Sequence, residues 1–235
     1  MEGAVYAVVE RPFAEVRGGL DGARHWCEVL ILHLNVKDCR ATPGGGLAVY
    51  LGRKTAQSPD DAQRLDFDYR TVADAPDFVQ TMLRADHGPA GTRAYLIRFA
   101  AAPLDERRSF VALSYSYGYG LAARIVVNAY LATAGAGKVG FTVLGRRADG
   151  GPEYVGGLRG IVERNAMRYY LAIEAHIGAL SAPAEARPDK SMRDWFAATE
   201  RYPRQLHEIS RAEYLEMKRI EYGREAFALR AENSR

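Results

Sequence analysis

Tyrosines repeat at every second position near the end of one predicted strand, and this row is the first place where the sequence could hold chemistry. In the segment 109–119, Tyr115, Tyr117 and Tyr119 alternate with small residues and so share one face of a strand. Aromatic hydroxyls in an apolar wall suit a ligand with an oily body and a few polar groups. A row of tyrosines is also typical of a core with its hydroxyls at the edge, so both interpretations stay open.

A second group of polar side chains lies in the middle of the most strongly periodic helix, predicted over 157–180. Asn165, Tyr169 and His176 follow one another at spacings of 4 and 7 residues, which places them on or beside its apolar face. If a sheet packs on that face, these side chains face the same space as the tyrosine row.

Two arginines, Arg164 and Arg168, lie one turn apart on the same helix. Together they could bind a carboxylate or phosphate head group through paired hydrogen bonds. The alternative is that they form ion pairs with Asp66, Asp68 or Glu174 and cover the surface of the helix.

Acid–base chemistry would need titratable groups in the same space, and the candidates are His33, His176, Tyr169 and Glu163. Each histidine is more often a hydrogen-bonded helix residue than a base. The sequence contains no nucleophile elbow, zinc-protease motif, phosphate loop or dinucleotide fingerprint. Its two cysteines are too few for a tetrahedral zinc site. We therefore predict no catalytic residues, no metal and no cofactor.

The two cysteines, Cys27 and Cys39, raise the question of a disulfide. Eleven residues separate them, enough for a helix to turn into a strand and bring them together. A bond would imply an oxidising compartment, periplasmic or secreted, whereas two buried thiols would suit the cytoplasm. No signal peptide precedes the first predicted strand, as expected of a cytosolic protein or of a mature secreted one that has lost its leader.

Composition excludes several classes of protein. The chain has 235 residues, 48% hydrophobic and 10% aromatic, which is too apolar for a disordered protein. Its 32 Lys+Arg and 29 Asp+Glu leave a charge of +3, which gives no electrostatic case for binding nucleic acid. No apolar run reaches about 18 residues, so we predict no transmembrane segment. The length suits one domain with an appendage.

The elements that must position these residues are predicted from periodicity and turn residues. A strand over 4–9 leads through Pro12 into a short helix, and a second helix follows over 23–34. Alternating apolar residues then predict antiparallel strands up to Tyr119, joined by hairpin-length turns. The later elements are a buried helix over 121–134, a strand over 140–144, the long helix over 157–180, a helix over 190–200, and a last helix with Ser210 and Glu213 as a capping box.

This order resembles the START-like helix-grip superfamily, of the birch-pollen-allergen and polyketide cyclase/dehydrase types. The residues that carry the resemblance are Val5-Tyr6-Ala7-Val8-Val9-Glu10, Pro12-Phe13-Ala14-Glu15-Val16, and Trp26 in the second short helix. It implies an α+β fold, with a curved antiparallel sheet wrapped around a long C-terminal helix. The helix-grip domain would cover 4–182, and a helical extension over 183–235 would pack on or beside it.

In such a fold a cavity separates sheet and helix, and the resemblance implies binding or transport of a lipid or other hydrophobic small molecule. The residues predicted to contact it are Trp26, His33, Tyr115, Tyr117, Tyr119, Asn165, Arg168, Tyr169, Ile173 and His176. One alternative is a cyclase, aromatase or dehydratase on the same fold. Another is a protein-interaction or homo-oligomer module, whose C-terminal helices carry Trp195, Phe196, Tyr202, Tyr214 and Met217.

Overall fold

A seven-stranded antiparallel sheet forms one layer of the protein in its computed structural model, which describes residues 2–120 and 137–232. The strands are β1 (Glu2–Val9), β2 (Val36–Ala41), β3 (Leu47–Leu51), β4 (Gln63–Ala75), β5 (Phe78–His87), β6 (Thr92–Pro103) and β7 (Ser109–Tyr119). Their order is β1-β7-β6-β5-β4-β3-β2, so β1 and β2 are the edges and the sheet is open. Leu65 and Phe67 are buried while Asp66 and Asp68 are exposed, which shows the alternation of a sheet with one covered face.

Register shifts bend this sheet. They occur in β4 between Thr71 and Ala73, and in β6 between Arg93 and Leu96. An extra residue on one strand of a pair increases the local twist and bends that strand. The sheet is therefore concave on its buried face, which receives the long helix.

The helices are α1 (Phe13–Gly18), α2 (Ala23–Leu30), α3 (Gly157–Ala179), α4 (Arg187–Thr199), α5 (Pro203–Leu206) and α6 (Arg211–Glu232), and a small hairpin joins β8 (Val143–Arg146) to β9 (Pro152–Tyr154). Together with the curved sheet, these elements confirm the predicted α+β helix-grip fold. The predicted helix over 121–134 lies outside the described residues. Within the described ranges, no helix is both long and apolar enough to cross a membrane.

Two predicted boundaries are wrong for identifiable reasons. The second helix was expected over 23–34 but ends at Leu30, where the amides of Leu32 and His33 bond to carbonyls three residues back. The strand expected over 140–144 begins only at Val143. The backbone amides of the two residues before it, Phe141 and Thr142, donate to the Glu163 carboxylate and not to another strand.

The long helix α3 packs closely against the edge strand β1. A Cβ atom on Gly3 would lie 2.9 Å from the backbone carbonyl oxygen of Val162, closer than side-chain carbons approach an oxygen. The strand backbone therefore touches the helix backbone at this point, which requires glycine.

The opposite side of α3 is covered by the C-terminal helices. The Trp195 indole of α4 is buried and donates a hydrogen bond from Nε1 to the carbonyl of Arg168, at 3.0 Å. The capping box that begins α6 is present, since the Ser210 amide donates to Glu213 and the Glu213 amide to the Ser210 hydroxyl. The division into 4–182 and 183–235 stays a prediction.

Helix α6 docks where α2 passes into β2, through buried charges. Lys218 Nζ donates to the carbonyls of His33 (2.7 Å) and Val36 (2.8 Å) and pairs with Glu221 at 2.7 Å. Glu221 also pairs with Lys37 of β2 at 2.9 Å. Burial lowers the pKa of Lys218 to about 8, against the opposing effect of Glu221. One carboxylate thus holds two ammonium groups in the interior.

The same junction carries a disulfide between Cys27 of α2 and Cys39 of β2, with the two Cα atoms 5.2 Å apart. Both cysteines are buried. The bond closes a short loop and restricts how α2 can move relative to the sheet.

We expect the Cys27→Ala/Cys39→Ala double variant to lose about 3 kcal/mol of unfolding free energy, because a loop of this length restricts the unfolded chain by that amount. Urea unfolding followed by circular dichroism measures the difference. Adding a reductant should destabilise the wild type and leave the double variant unchanged. A wild type insensitive to full reduction would contradict the prediction.

We expect Glu221→Gln to lower the unfolding free energy by about 3 kcal/mol or more, because it leaves Lys37 and Lys218 buried without a carboxylate. Glu216→Gln, the same change at an exposed position of α6, is the control and should change little. Equal stabilities of the two variants would show that the buried charges do not hold α6 in place.

Candidate functional site

A cavity of about 800 Å³ lies between the concave face of the sheet, α3 and the junction of α2 with β2. Its mouth is formed by the segment between β3 and β4 and by the turn before β6, where Arg53, Asp61 and Gln63 are exposed. Its buried wall is aliphatic and aromatic, formed by Leu30, His33, Val36, Val49, Leu65, Phe67, Tyr95, Tyr115, Tyr117 and Tyr169. The volume is in the range of small-molecule sites.

The aromatic part of the wall is a continuous set of ring contacts. Tyr115 packs on Tyr169 with ring centroids 5.3 Å apart, and on Tyr117 at 5.7 Å. Tyr117 stacks on Tyr95 of the neighbouring strand at 5.4 Å. Strand alternation brings these rings to one face, and the long helix adds Tyr169 from the opposite side.

Burial keeps these hydroxyls protonated. It raises the pKa of Tyr115 and Tyr169, and in both cases neighbouring tyrosines add to the effect. It also raises the pKa of Tyr117 to about 12. The cavity wall therefore offers neutral phenols, which donate hydrogen bonds and do not act as bases near neutral pH.

His33 is the other polar group on the buried wall. Its Nδ1 accepts a hydrogen bond from the Asn35 amide at 3.2 Å, so the ring hydrogen of the neutral imidazole belongs on Nε2. Nε2 is buried, and the ring also interacts with Asn165, whose hydrogen bonding opposes the other effects on the pKa of His33. Burial lowers the pKa of His33, and the positive charges of Arg168, Lys218 and Lys54 lower it further. The ring is thus a neutral donor near neutral pH.

The structure brings part of the predicted site together. Of the residues predicted to contact a ligand, His33, Tyr115, Tyr117, Asn165 and Tyr169 line the cavity. Hydrogen bonding links Asn165 to Tyr115 in the same wall. Their role in binding stays a prediction.

Other predicted contact residues lie outside the cavity lining. Trp26 is fully buried against Phe99, with ring centroids 6.2 Å apart, and Ile173 lies in the core. Tyr119 is half-buried beside Tyr117. Trp26 and Ile173 therefore support the fold around the cavity, and a role of these residues in binding stays a prediction.

Arg168 requires a correction. We expected it either to bind an anionic ligand or to pair with Asp66, Asp68 or Glu174 on the helix surface, but it is buried and pairs with Glu208 at 2.8 Å. Glu208 also pairs with Lys54 of the cavity mouth at 2.9 Å and with Lys138 at 3.3 Å. Arg164 is buried as well and donates to the carbonyl of Val139. The C-terminal helices cover this side of α3, so both arginines find their partners inside the protein.

The remaining acid–base candidates do not face the cavity. Glu163 accepts hydrogen bonds from the Phe141 and Thr142 amides and from the Thr142 hydroxyl, at 2.7–2.9 Å. Burial would raise its pKa, but these bonds and Arg159 lower it overall. His176 lies at the far end of α3, with its Nε2 2.9 Å from the carbonyl oxygen of Gly19.

Sequence reasoning missed Tyr95, Asn35 and the segment between β3 and β4. Tyr95 could have been found, because it alternates with Ile97 and Phe99 toward the buried face of β6. Asn35 and the mouth segment lie in turns, where periodicity carries no information.

The aromatic residues of the C-terminal helices are mostly used inside the chain. Trp195, Tyr214 and Met217 are buried, and Phe196 and Tyr202 are partly buried. The Tyr214 hydroxyl donates to the carbonyl of Leu32 at 3.0 Å. These residues therefore do not form the exposed docking face that an interaction module would need.

Comparison with known proteins leaves function open. No family model and no curated protein sequence matches the chain. A protein from Thermus thermophilus is similar in structure, with 12% identity over 77% of this chain and 100% of that one, at a TM-score of 0.48. A START superfamily protein from Mycobacterium smegmatis is 12% identical over 57% of this chain and 92% of that one, with a TM-score of 0.36. Norcoclaurine synthase from Thalictrum flavum is 12% identical over 58% of this chain and 80% of that one, with a TM-score of 0.38.

Similarities at this level carry no argument about a ligand or an activity. The resemblance to the START-like superfamily is confirmed for the fold, and the confirmation depends on this chain's own features. These are the open curved sheet with β1 beside β7, the two short helices after β1, and the long helix against the concave face.

The buried imidazole of His33 should make stability depend on pH. Its pKa lies well below 6.5 in the folded protein, so below that pH the unfolded chain binds a proton that the folded one does not. We expect the unfolding free energy to fall between pH 7 and pH 5, and to fall less in His33→Asn. His87→Asn, at an exposed position, is the control. Urea unfolding at both pH values tests this, and equal pH dependence of wild type and His33→Asn would contradict it.

Proposed function

We propose that the protein binds a lipid or another largely hydrophobic small molecule in the cavity between the sheet and α3. The observation that carries the proposal is the cavity of about 800 Å³, with a buried aliphatic and aromatic wall and a polar mouth. Burying the apolar part of a ligand against such a wall contributes roughly 25 cal/mol per Å² removed from water.

The polar groups of the wall define the other end of that ligand. His33 offers its Nε2 hydrogen, and Tyr115 and Tyr169 offer neutral hydroxyls in the same region. Each of these donors can bind an acceptor oxygen of a ligand that enters the cavity. A ligand with a carbonyl, carboxyl or hydroxyl oxygen at one end of an apolar body meets both requirements.

A cavity-filling variant tests the proposal. Val49 is buried in the wall, and Val49→Trp should weaken binding of a fluorescent fatty acid at least about tenfold by occupying its space. Val8→Trp, the same change at an exposed position of β1, is the control and should bind like the wild type. Circular dichroism and thermal unfolding establish that both variants fold. No saturable binding to the wild type, or equal binding to all three proteins, would contradict the proposal.

A cyclase, aromatase or dehydratase is the second candidate function. The observation that favours it is the contact between the neutral His33 imidazole and Tyr169, with ring centroids 5.2 Å apart in the cavity wall. With Nδ1 occupied by the Asn35 amide, the histidine would donate from Nε2 and the phenol from its hydroxyl, and together they would polarise a carbonyl group of the substrate. Mass spectrometry of ligands after incubation separates the two functions: a product formed by the wild type but not by His33→Gln supports catalysis, whereas unchanged ligand supports binding alone.

We also infer an oxidising compartment, periplasmic or extracellular, from the disulfide between Cys27 and Cys39. The cytoplasm remains the alternative location. Thiol titration of the protein taken directly from its source cells distinguishes the two, because a reduced pair in those cells would contradict the inference.

A further inference from the structure

We propose that His25, Glu28 and His176 form a binding site for a divalent transition-metal ion, with Zn²⁺ as the ion that best suits these ligands. One candidate ligand atom from each residue lies within 4.8 Å of the others. His25 Nδ1 is 3.2 Å from His176 Nε2. Two nitrogens on one tetrahedral Zn²⁺ are separated by roughly 3.3 Å, given zinc–nitrogen bonds of about 2.0–2.1 Å.

The types of ligand agree with this ion. Two imidazoles and one carboxylate are the protein ligands of many zinc sites that keep a further position open for water or another ligand. The Gly19 carbonyl oxygen lies 2.9 Å from His176 Nε2, and so is close to the same point.

His176 has polar neighbours at both of its ring nitrogens. Its Nε2 is 2.9 Å from the Gly19 oxygen, and its Nδ1 is 3.5 Å from Glu28 Oε2. A neutral imidazole carries one ring hydrogen and one free lone pair. A metal ion placed between His176 and His25 would accept that lone pair.

The elements that carry these residues are held in place by other contacts. His25 and Glu28 are three residues apart on α2 and so share one side of that helix. The disulfide anchors α2 at Cys27, and the Tyr222 hydroxyl donates to the carbonyl of Glu28 at 3.3 Å. His176 is buried on α3, whereas His25 and Glu28 are partly exposed, which gives an ion a route from solvent. The site is therefore preorganised and accessible.

One nearby charge opposes the ion. Arg24 lies 3.9 Å from Glu28, but its side chain is 82% exposed and is free to turn toward water when a cation binds.

Metal-free protein, prepared with a chelator and dialysed, should bind one Zn²⁺ per chain in isothermal titration calorimetry with ZnCl₂ alone. His25→Ala and Glu28→Gln should each weaken this binding at least about tenfold. The matched controls are His207→Ala and Glu200→Gln, because His207 and Glu200 also contact each other, at 3.0 Å, but belong to no three-residue ligand cluster among the described residues. Both controls should bind like the wild type.

Two further measurements separate loss of the site from loss of the fold. Circular dichroism and thermal unfolding without metal should be similar for His25→Ala and the wild type, since the His25 side chain is not in the core. Zn²⁺ should raise the unfolding temperature of the wild type and not that of His25→Ala. Co²⁺ should give the visible absorption of a tetrahedral ion in the wild type alone. Absence of saturable Zn²⁺ binding, or equal affinity in wild type and His25→Ala, would overturn the proposal.

This proposal is independent of the cavity. The Val49→Trp variant that fills the cavity should keep its Zn²⁺ affinity, and His25→Ala should keep its affinity for the fluorescent fatty acid. The experiments can therefore contradict one proposal and still support the other.

Discussion

Burial of α3 on two opposite sides is the constraint on which the rest of the structure depends. The sheet covers one side, and α4 with the segment before α6 covers the other, so polar groups on either side must find partners inside the protein. Arg168 meets this requirement through Glu208, and its carbonyl accepts from Trp195. Because Glu208 also pairs with Lys54, the same carboxylate ties the mouth of the cavity to the long helix.

The cavity follows from the way the sheet leaves this helix. Close to β1, the backbones touch at Gly3, and no space remains between the layers. Toward β3 and β4 the bent sheet moves away from α3, and the space is lined by side chains from the junction of α2 with β2. That junction is tied to the sheet by the disulfide and to α6 by the buried Lys218 and Glu221.

Local patterns in the sequence were enough to predict the fold and part of the cavity. Strand alternation put Tyr115 and Tyr117 on one face, and helical spacing put Asn165 and Tyr169 on the side of α3 that meets them. The partner of Arg168 could not be predicted, because Glu208 lies forty positions away on a segment without periodicity. The cluster around His176 was missed for the same reason, since His25 is 151 positions distant. The sequence alone shows only that His25 and Glu28 are three residues apart on one short helix, and two residues do not define a metal site.

Helix α2 connects the two sites. Its last residue, Leu30, and His33 just beyond it line the cavity, while His25 and Glu28 face the end of α3. A metal ion held by His25 and His176 would join α2 to α3 directly, at the end of the helix away from the cavity. The Cys27–Cys39 bond already joins α2 to the sheet, so the ion would add a constraint in the direction that the disulfide leaves unrestrained. The short helix already packs Trp26, Val29 and Leu30 in the core, so the disulfide and the ion would act in addition to this packing.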